Sequence, residues 1–145
     1  MRIYGDTRSG NCYKLQLLLS LLGKTCEWID VDIMKGETRA PSFLEKTPNG
    51  KIPLLELDDG RVLSESNAIM HYLASNTPLI PSSPSSFSQL LQWQFFEQYS
   101  HEPYIAVARY INVYLGLPED RKAEYESKQA GGYRALAVME HQLKI

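Results

Sequence analysis

Two short strand-like runs, Arg2–Gly5 and Cys26–Val31, enclose a stretch of helical period, and that order leaves few folds open. Within the stretch Leu15, Leu18, Leu19 and Leu22 recur at three- and four-residue spacing, and Gly23 follows as a stop. A helix between two neighbouring strands is the connection that parallel pairing needs. Asp6 to Gly10 reads as a polar turn between the first strand and that helix. Further on, Lys51 to Leu57 and Arg61 to Leu63 flank Asp58-Asp59-Gly60, a tight-turn sequence that predicts a hairpin and an antiparallel edge. The intervening polar piece, Met34 to Pro48, predicts a short helix with Thr38 as its cap and Pro41 in its first turn. Ser64 is expected to cap a third helix, with Ile69, Met70, Tyr72 and Leu73 along one side. The expected order is therefore β-α-β-α-β-β-α.

The remainder has a different character. Asn76 to Ser88 is rich in Pro and Ser and reads as a surface linker. Leu90 to Leu115 carries Trp93, Phe95, Phe96, Tyr99, Tyr104, Ile105, Tyr110, Ile111 and Tyr114 among its large apolar residues. A helix apolar on more than one face is expected to be buried by several neighbours. Pro103 is expected to kink or break it. Gly116-Leu117-Pro118 ends it, and another helix begins near Glu119, with Gly131-Gly132 near its middle.

Composition narrows the function classes. Hydrophobic residues make up 43% and charged residues 22% of the 145, as in ordinary globular domains. A net charge of -2 gives no basic surface for nucleic acid. No apolar run is long enough to cross a bilayer. Met1 leads straight into a strand, so no signal peptide is expected and the setting is read as cytoplasmic. Cys12 and Cys26 form no CxxC and no cluster with histidine, so neither a disulfide scaffold nor a metal site is expected.

Four local sequences, in this order and spacing, carry a resemblance to the glutathione S-transferases. They are Ser9-Gly10-Asn11-Cys12, Pro48-Asn49-Gly50-Lys51-Ile52-Pro53, Asp58-Asp59-Gly60 and Glu65-Ser66-Asn67-Ala68-Ile69. The chain is most similar to bacterial members related to the serine-type, theta- and zeta-like classes. The resemblance implies an α/β fold: a thioredoxin-like βαβαββα domain over residues 1–80, a linker over 81–88 and an incomplete all-helical domain over 89–145. Family members continue for several more helices, so the helical part is expected to lack partners. The implied activity is conjugation of the glutathione thiolate to a small hydrophobic electrophile, with glutathione as cosubstrate and no bound cofactor. A homodimer is implied as well. Two alternatives stand beside this: a glutathione-dependent disulfide or peroxide reductase, and a noncatalytic glutathione-binding domain.

Site residues follow from the same resemblance. The Ile52–Pro53 bond is implied to be cis, so that the Ile52 N–H and C=O pair with the cysteinyl unit of glutathione as an added strand. Ser66 is implied to bind the γ-glutamyl carboxylate through its N–H and hydroxyl, and Glu65 to pair with the γ-glutamyl ammonium; a helix opening favours such an anion. The same stretch also fits an ordinary cap formed by Ser64 and Asn67. Lys51 is implied to lie near the glycyl carboxylate, with Lys35 and Arg39 as further candidates, and it equally fits a solvated strand end. Activation needs a donor close to sulfur, because the thiolate is the nucleophile. Ser9 matches the catalytic serine of the serine-type classes, and Asn11 is its rival; each also fits a helix N-cap. Cys12 lies three residues past Ser9, inside the helix, and reads as a packed small residue. His71 and His101 show no metal-ligand spacing, and Tyr99, His101 and Tyr104 lie on the helix that the resemblance turns toward the electrophile.

Overall fold

The computed structural model describes residues 1–144, which divide into two compact units, Met1–Ile80 and Pro81 onward. The first is a four-stranded mixed sheet with helices. Its strands are β1 (Arg2–Gly5), β2 (Glu27–Asp30), β3 (Leu54–Glu56) and β4 (Val62–Leu63), in the order β2-β1-β3-β4. Its helices are α1 (Gly10–Leu21), the short α2 (Pro41–Leu44) and α3 (Ser66–Ala74). This is the expected βαβαββα order in a thioredoxin-like sheet.

Burial explains why these segments form. β1 pairs parallel with β2 through α1, whose Leu15, Leu18 and Leu19 pack with Ile3, Leu55 and Ile69 in one core. A second cluster, Val31, Phe43 and Leu54, holds α2 against the other side, with Tyr4 and Ile52 packed on it. β3 runs antiparallel to both β1 and β4, with Tyr4 opposite Leu54 and Leu55 opposite Leu63. Consequently β1, β2 and β4 all end at the edge where β3 begins. The segments leaving β1, β2 and β4 and the one entering β3 meet there, and those segments hold every glutathione-site residue expected above.

Two expected caps are corrected. Thr38 is buried in a 3₁₀ turn, Glu37–Arg39, and caps nothing; α2 follows Ala40 without a side-chain cap, started by Pro41. Ser64 is likewise not the cap of α3, because Glu65 occupies that position.

The second unit contains α4 (Pro84–Phe96), α5 (Glu102–Arg109) and α6 (Lys122–Leu143). α4 begins inside the stretch read as linker. Ser83 accepts from the Ser86 N–H at 3.2 Å, and Pro84 takes the first helical position, where no N–H is needed. Pro103 neither stops the chain nor sharply breaks it. The turn ahead of it widens to a π-helix, Glu97–His101, which accommodates a ring and a missing N–H that an α-turn cannot. A second π segment, Tyr110–Tyr114, ends this run. α6 approaches α5 at Gly131, where an added Cβ would stand 2.1 Å from the Tyr104 ring. The expected burial of the aromatic helix by several neighbours is not met: along the π and α segments from Pro84 to Tyr114 only Ile111 is fully enclosed, and Tyr99 is 87% exposed. No helix among the described residues is long and apolar enough to cross a membrane, and no cluster of potential metal ligands occurs among them.

Candidate glutathione site

Ser9 is the N-cap of α1. Its φ of -75° and ψ of 128° lie outside the helix, and its hydroxyl oxygen accepts from the Cys12 N–H at 3.4 Å. The turn before it is built on Asp6, whose main-chain oxygen accepts the Ser9 N–H at 2.9 Å. Asn11, two residues on, reaches across to α3: the Ser66 hydroxyl donates to its Oδ1 at 3.3 Å. Lys14 Nζ makes a parallel, longer contact with Asn67 Oδ1 at 3.5 Å. The openings of two helices are thereby tied side by side, and their unsatisfied N–H groups make one positive region.

The Ser66 hydroxyl proton is thus engaged by Asn11, which leaves the main chain as Ser66's expected donor. Its N–H precedes the first intrahelical bond of α3, from Ile69 N–H to Glu65 O at 3.0 Å. Ser66 is itself buried, whereas Glu65 is exposed. Glu65 has φ 67° and ψ 111°, a conformation that a side-chain-bearing residue rarely adopts, and its side chain makes no cap bond. Backbone strain of this kind is concentrated at functional sites. The cap formed by Ser64 and Asn67 is not what the chain uses.

At the start of β3 the Ile52–Pro53 peptide is cis, as the resemblance implied. Ile52 is half-buried on the Val31, Phe43 and Leu54 cluster, and its N–H and C=O make no backbone hydrogen bond among the described residues. The loop before it is held by Gly50, at φ 58°, where a Cβ would come within 2.8 Å of the Thr38 carbonyl oxygen. Arg39 Nη1 donates to Asn49 O at 3.4 Å, so Arg39 braces the loop. Lys35 pairs with Asp32 at 3.4 Å, and Lys51 is exposed.

Cys12 is fully buried, its Sγ close to Gly5. Burial pushes its thiol above the ordinary value, although the nearby Ser9 hydroxyl works against that shift. A raised thiol is a poor source of thiolate, which suits the packed-residue reading. Asp6 and Arg8 were not singled out by the sequence beyond their place in a polar turn. An Asp two residues before a backbone N–H it can accept was the available signal.

Comparison with known proteins bears on the family and the fold. The family model for the glutathione S-transferase N-terminal domain matches residues 3–83. A glutathione S-transferase from Pseudomonas fluorescens is 59% identical with a TM-score of 0.95, over 99% of this chain and 71% of that one. The glutathione transferase URE2P6 from Phanerochaete chrysosporium, solved with oxidized glutathione, is 31% identical with a TM-score of 0.85, over 99% of this chain and 67% of that one. Elongation factor 1-gamma from Danio rerio is 38% identical over 109 residues, 74% of this chain. The chain spans only 24% of that curated relative's length.

Proposed function

The chain belongs to the glutathione S-transferase family, and on that premise we propose that it conjugates glutathione to a small hydrophobic electrophile. The observation that carries the proposal is the bond between Ser66 and Asn11, which sets the openings of α3 and α1 together. In this reading the Ile52 N–H and C=O take the cysteinyl unit as an added strand. The first N–H groups of α3, led by Ser66, take the γ-glutamyl carboxylate, and the Glu65 carboxylate takes the ammonium. Lys51 is the solvent-side partner of the glycyl carboxylate. Pro53, buried next to Ile52, belongs to the same stretch of the site.

The sulfur then lies toward the α1 opening, where Ser9 donates its hydroxyl proton and the helix terminus favours negative charge. The thiol loses its proton to solvent, and the thiolate attacks the electrophilic carbon. A C–S bond forms as the leaving group departs with its electron pair. Lowering the thiol pKa by about two units takes roughly 2.7 kcal/mol of preference for the anion. One charge-assisted hydrogen bond and a helix opening together have that reach. Asn11 is the rival donor: its Oδ1 is used by Ser66, which keeps the amide nitrogen out of that bond.

Glutathione titrated calorimetrically into Glu65→Ala and Ser66→Ala tests the site. Both variants are expected to lose affinity while folding costs about 1 kcal/mol or less, the range of a weakened helix start. Unchanged affinity in both would sink the assignment. Chlorodinitrobenzene conjugation against reduction of a glutathione mixed disulfide separates transferase from reductase.

A second reading, a glutathione-binding domain without turnover, takes its motivation from the similarity over 109 residues to a protein named elongation factor 1-gamma. Binding without conjugation would select it. A homodimer acting in the cytoplasm completes the proposal. The exposed aromatics Phe95 and Tyr99 support association, and light scattering at micromolar concentration that finds only monomer would count against it.

A further inference from the structure

The turn that delivers Ser9 is organised by one buried carboxylate. Asp6 follows β1 directly and is 6% exposed. Its Oδ1 accepts from the Arg8 N–H at 2.8 Å and from Arg8 Nε at 3.1 Å, while Oδ2 accepts from Arg8 Nη2 at 2.9 Å. Its main-chain oxygen takes the Ser9 N–H. The guanidinium also lies 4.0 Å from Asp32, just past β2. The fork therefore closes the turn over three residues and sets the direction in which Ser9 enters α1.

Charge gives a second reason for the pair. A carboxylate behind the first turn of α1 opposes any anion there, and its field is felt at Cys12, where it favours the protonated thiol. A bidentate guanidinium offsets that charge while keeping the carboxylate as a geometric anchor. An unpaired buried carboxylate at this place would work against thiolate formation.

We propose that Asp6 and Arg8 are positioning residues for Ser9, holding its hydroxyl in line with the glutathione sulfur. The inference rests on the reading of Ser9 given above. The pair acts through Ser9 and touches no substrate atom.

The test is a thiolate absorbance titration of bound glutathione in the full chain, with affinity measured beside it. Arg8→Ala and Arg8→Lys are both expected to raise the pKa of the bound thiol by about one unit, or about tenfold less thiolate below that pKa. Lysine keeps the charge but not the fork, so restoration of the original titration by Arg8→Lys would overturn the geometric role. Asp6→Asn keeps an oxygen for the Arg8 N–H and is expected to shift the titration less. Arg8 is half exposed, so its variants are expected to fold, and circular dichroism checks them. In a Ser9→Ala background, Arg8→Lys, which keeps a positive charge beside Asp6, is expected to add nothing, since coupled positions are not additive. Full additivity would overturn the inference. A shift in Ser9→Ala with none in either Arg8 variant sinks the inference alone. No shift in Ser9→Ala sinks the reading of Ser9, and the inference with it. Lost affinity with an unchanged pKa would make Arg8 a binding residue and end the positioning role.

Discussion

Among the large side chains of the described residues, the first unit encloses Ile3, Leu15, Leu54, Leu55 and Ile69 completely, whereas the second, richer in aromatic rings, encloses only Ile111 to that degree. The difference is one of layers. A sheet with helices packed on it presents a broad apolar face that short leucine and isoleucine side chains fill, and each strand pairing brings residues far apart in sequence into that face. In the second unit α5 and α6 meet along one seam, made close by Gly131, and most rings around that seam keep a face in water. Apolar content alone does not make a core; a residue is enclosed only where another element covers it.

The strongest way to break this contrast is to truncate one large side chain in each unit. Leu55→Ala removes a fully buried side chain from the sheet and is expected to cost about 2–5 kcal/mol. Tyr133→Ala removes a larger ring that is 70% exposed and takes no part in the association proposed above, and the cost should stay within about 0.5 kcal/mol. Each unit holds one tryptophan, Trp28 and Trp93, so urea unfolding followed in Trp93→Phe reports the first unit and in Trp28→Phe the second. Comparable losses from the two truncations would show that the exposed rings are covered in solution.

The seam itself offers a finer test. Gly131→Ala puts a methyl group 2.1 Å from the Tyr104 ring, and overpacking of this kind costs about 1–3 kcal/mol. Alanine returns at most about 1 kcal/mol through helix propensity, so the net change is expected to be a loss. Gly132→Ala meets the flexible Cδ1 end of Ile105 at 2.9 Å, which can move aside, and is expected to be close to neutral. Thermal unfolding of the two variants side by side checks the order; equal melting temperatures would mean that the α5–α6 approach is loose.

Legibility divides in the same way. The strand and helix order of the first unit was readable because leucine spacing, the Asp58-Asp59-Gly60 turn and the glycine stop are local signals. The caps were misread where a local signal competes with a tertiary demand. Ser64 has the right chemistry for a cap, yet the chain gives the position to Glu65 in a conformation that capping does not explain. Thr38 was similarly drawn into the packing under Gly50. The bond between Asn11 and Ser66 spans 55 residues and has no sequence signature of its own. Resemblance to a family, not periodicity, is what connects those two residues in the sequence. The helix start at Pro84 was hidden because serine and proline mark both linkers and first turns.

The smallest expected effect concerns charge. In the first unit Glu56 Oε2 accepts from Tyr4 OH at 2.7 Å and from Lys46 Nζ at 2.6 Å, tying β3 to β1 and to the end of α2. The Lys46 bond, then the Tyr4 bond, holds the Glu56 carboxyl below its ordinary 4.5. Lys46 is raised above 10.5, chiefly by the same bond. A depressed carboxyl contributes stability that is complete above its unfolded value and is lost as pH falls through the folded one. A raised amine contributes stability that is complete below 10.5 and is lost as pH rises through its folded value. Between about pH 6 and 9 the pair is therefore at full strength, as the shifts on both sides require. Lys46→Met is expected to lower the urea midpoint reported by Trp28 modestly at pH 6, because a pair this near solvent is screened. At pH 3 the gap between variant and parent should narrow as Glu56 takes up a proton. The ion pairs Glu119–Lys122, Arg121–Glu124 and Glu140–Lys144 of the second unit each join neighbours three or four residues apart, so Glu124→Gln should leave the Trp93 midpoint almost unchanged at either pH. A Lys46→Met gap that is as wide at pH 3 as at pH 6 would mean that Lys46 stabilises the sheet through its ammonium over the Tyr4 ring, Nζ lying 5.2 Å from the ring centre, and not through its bond to Glu56.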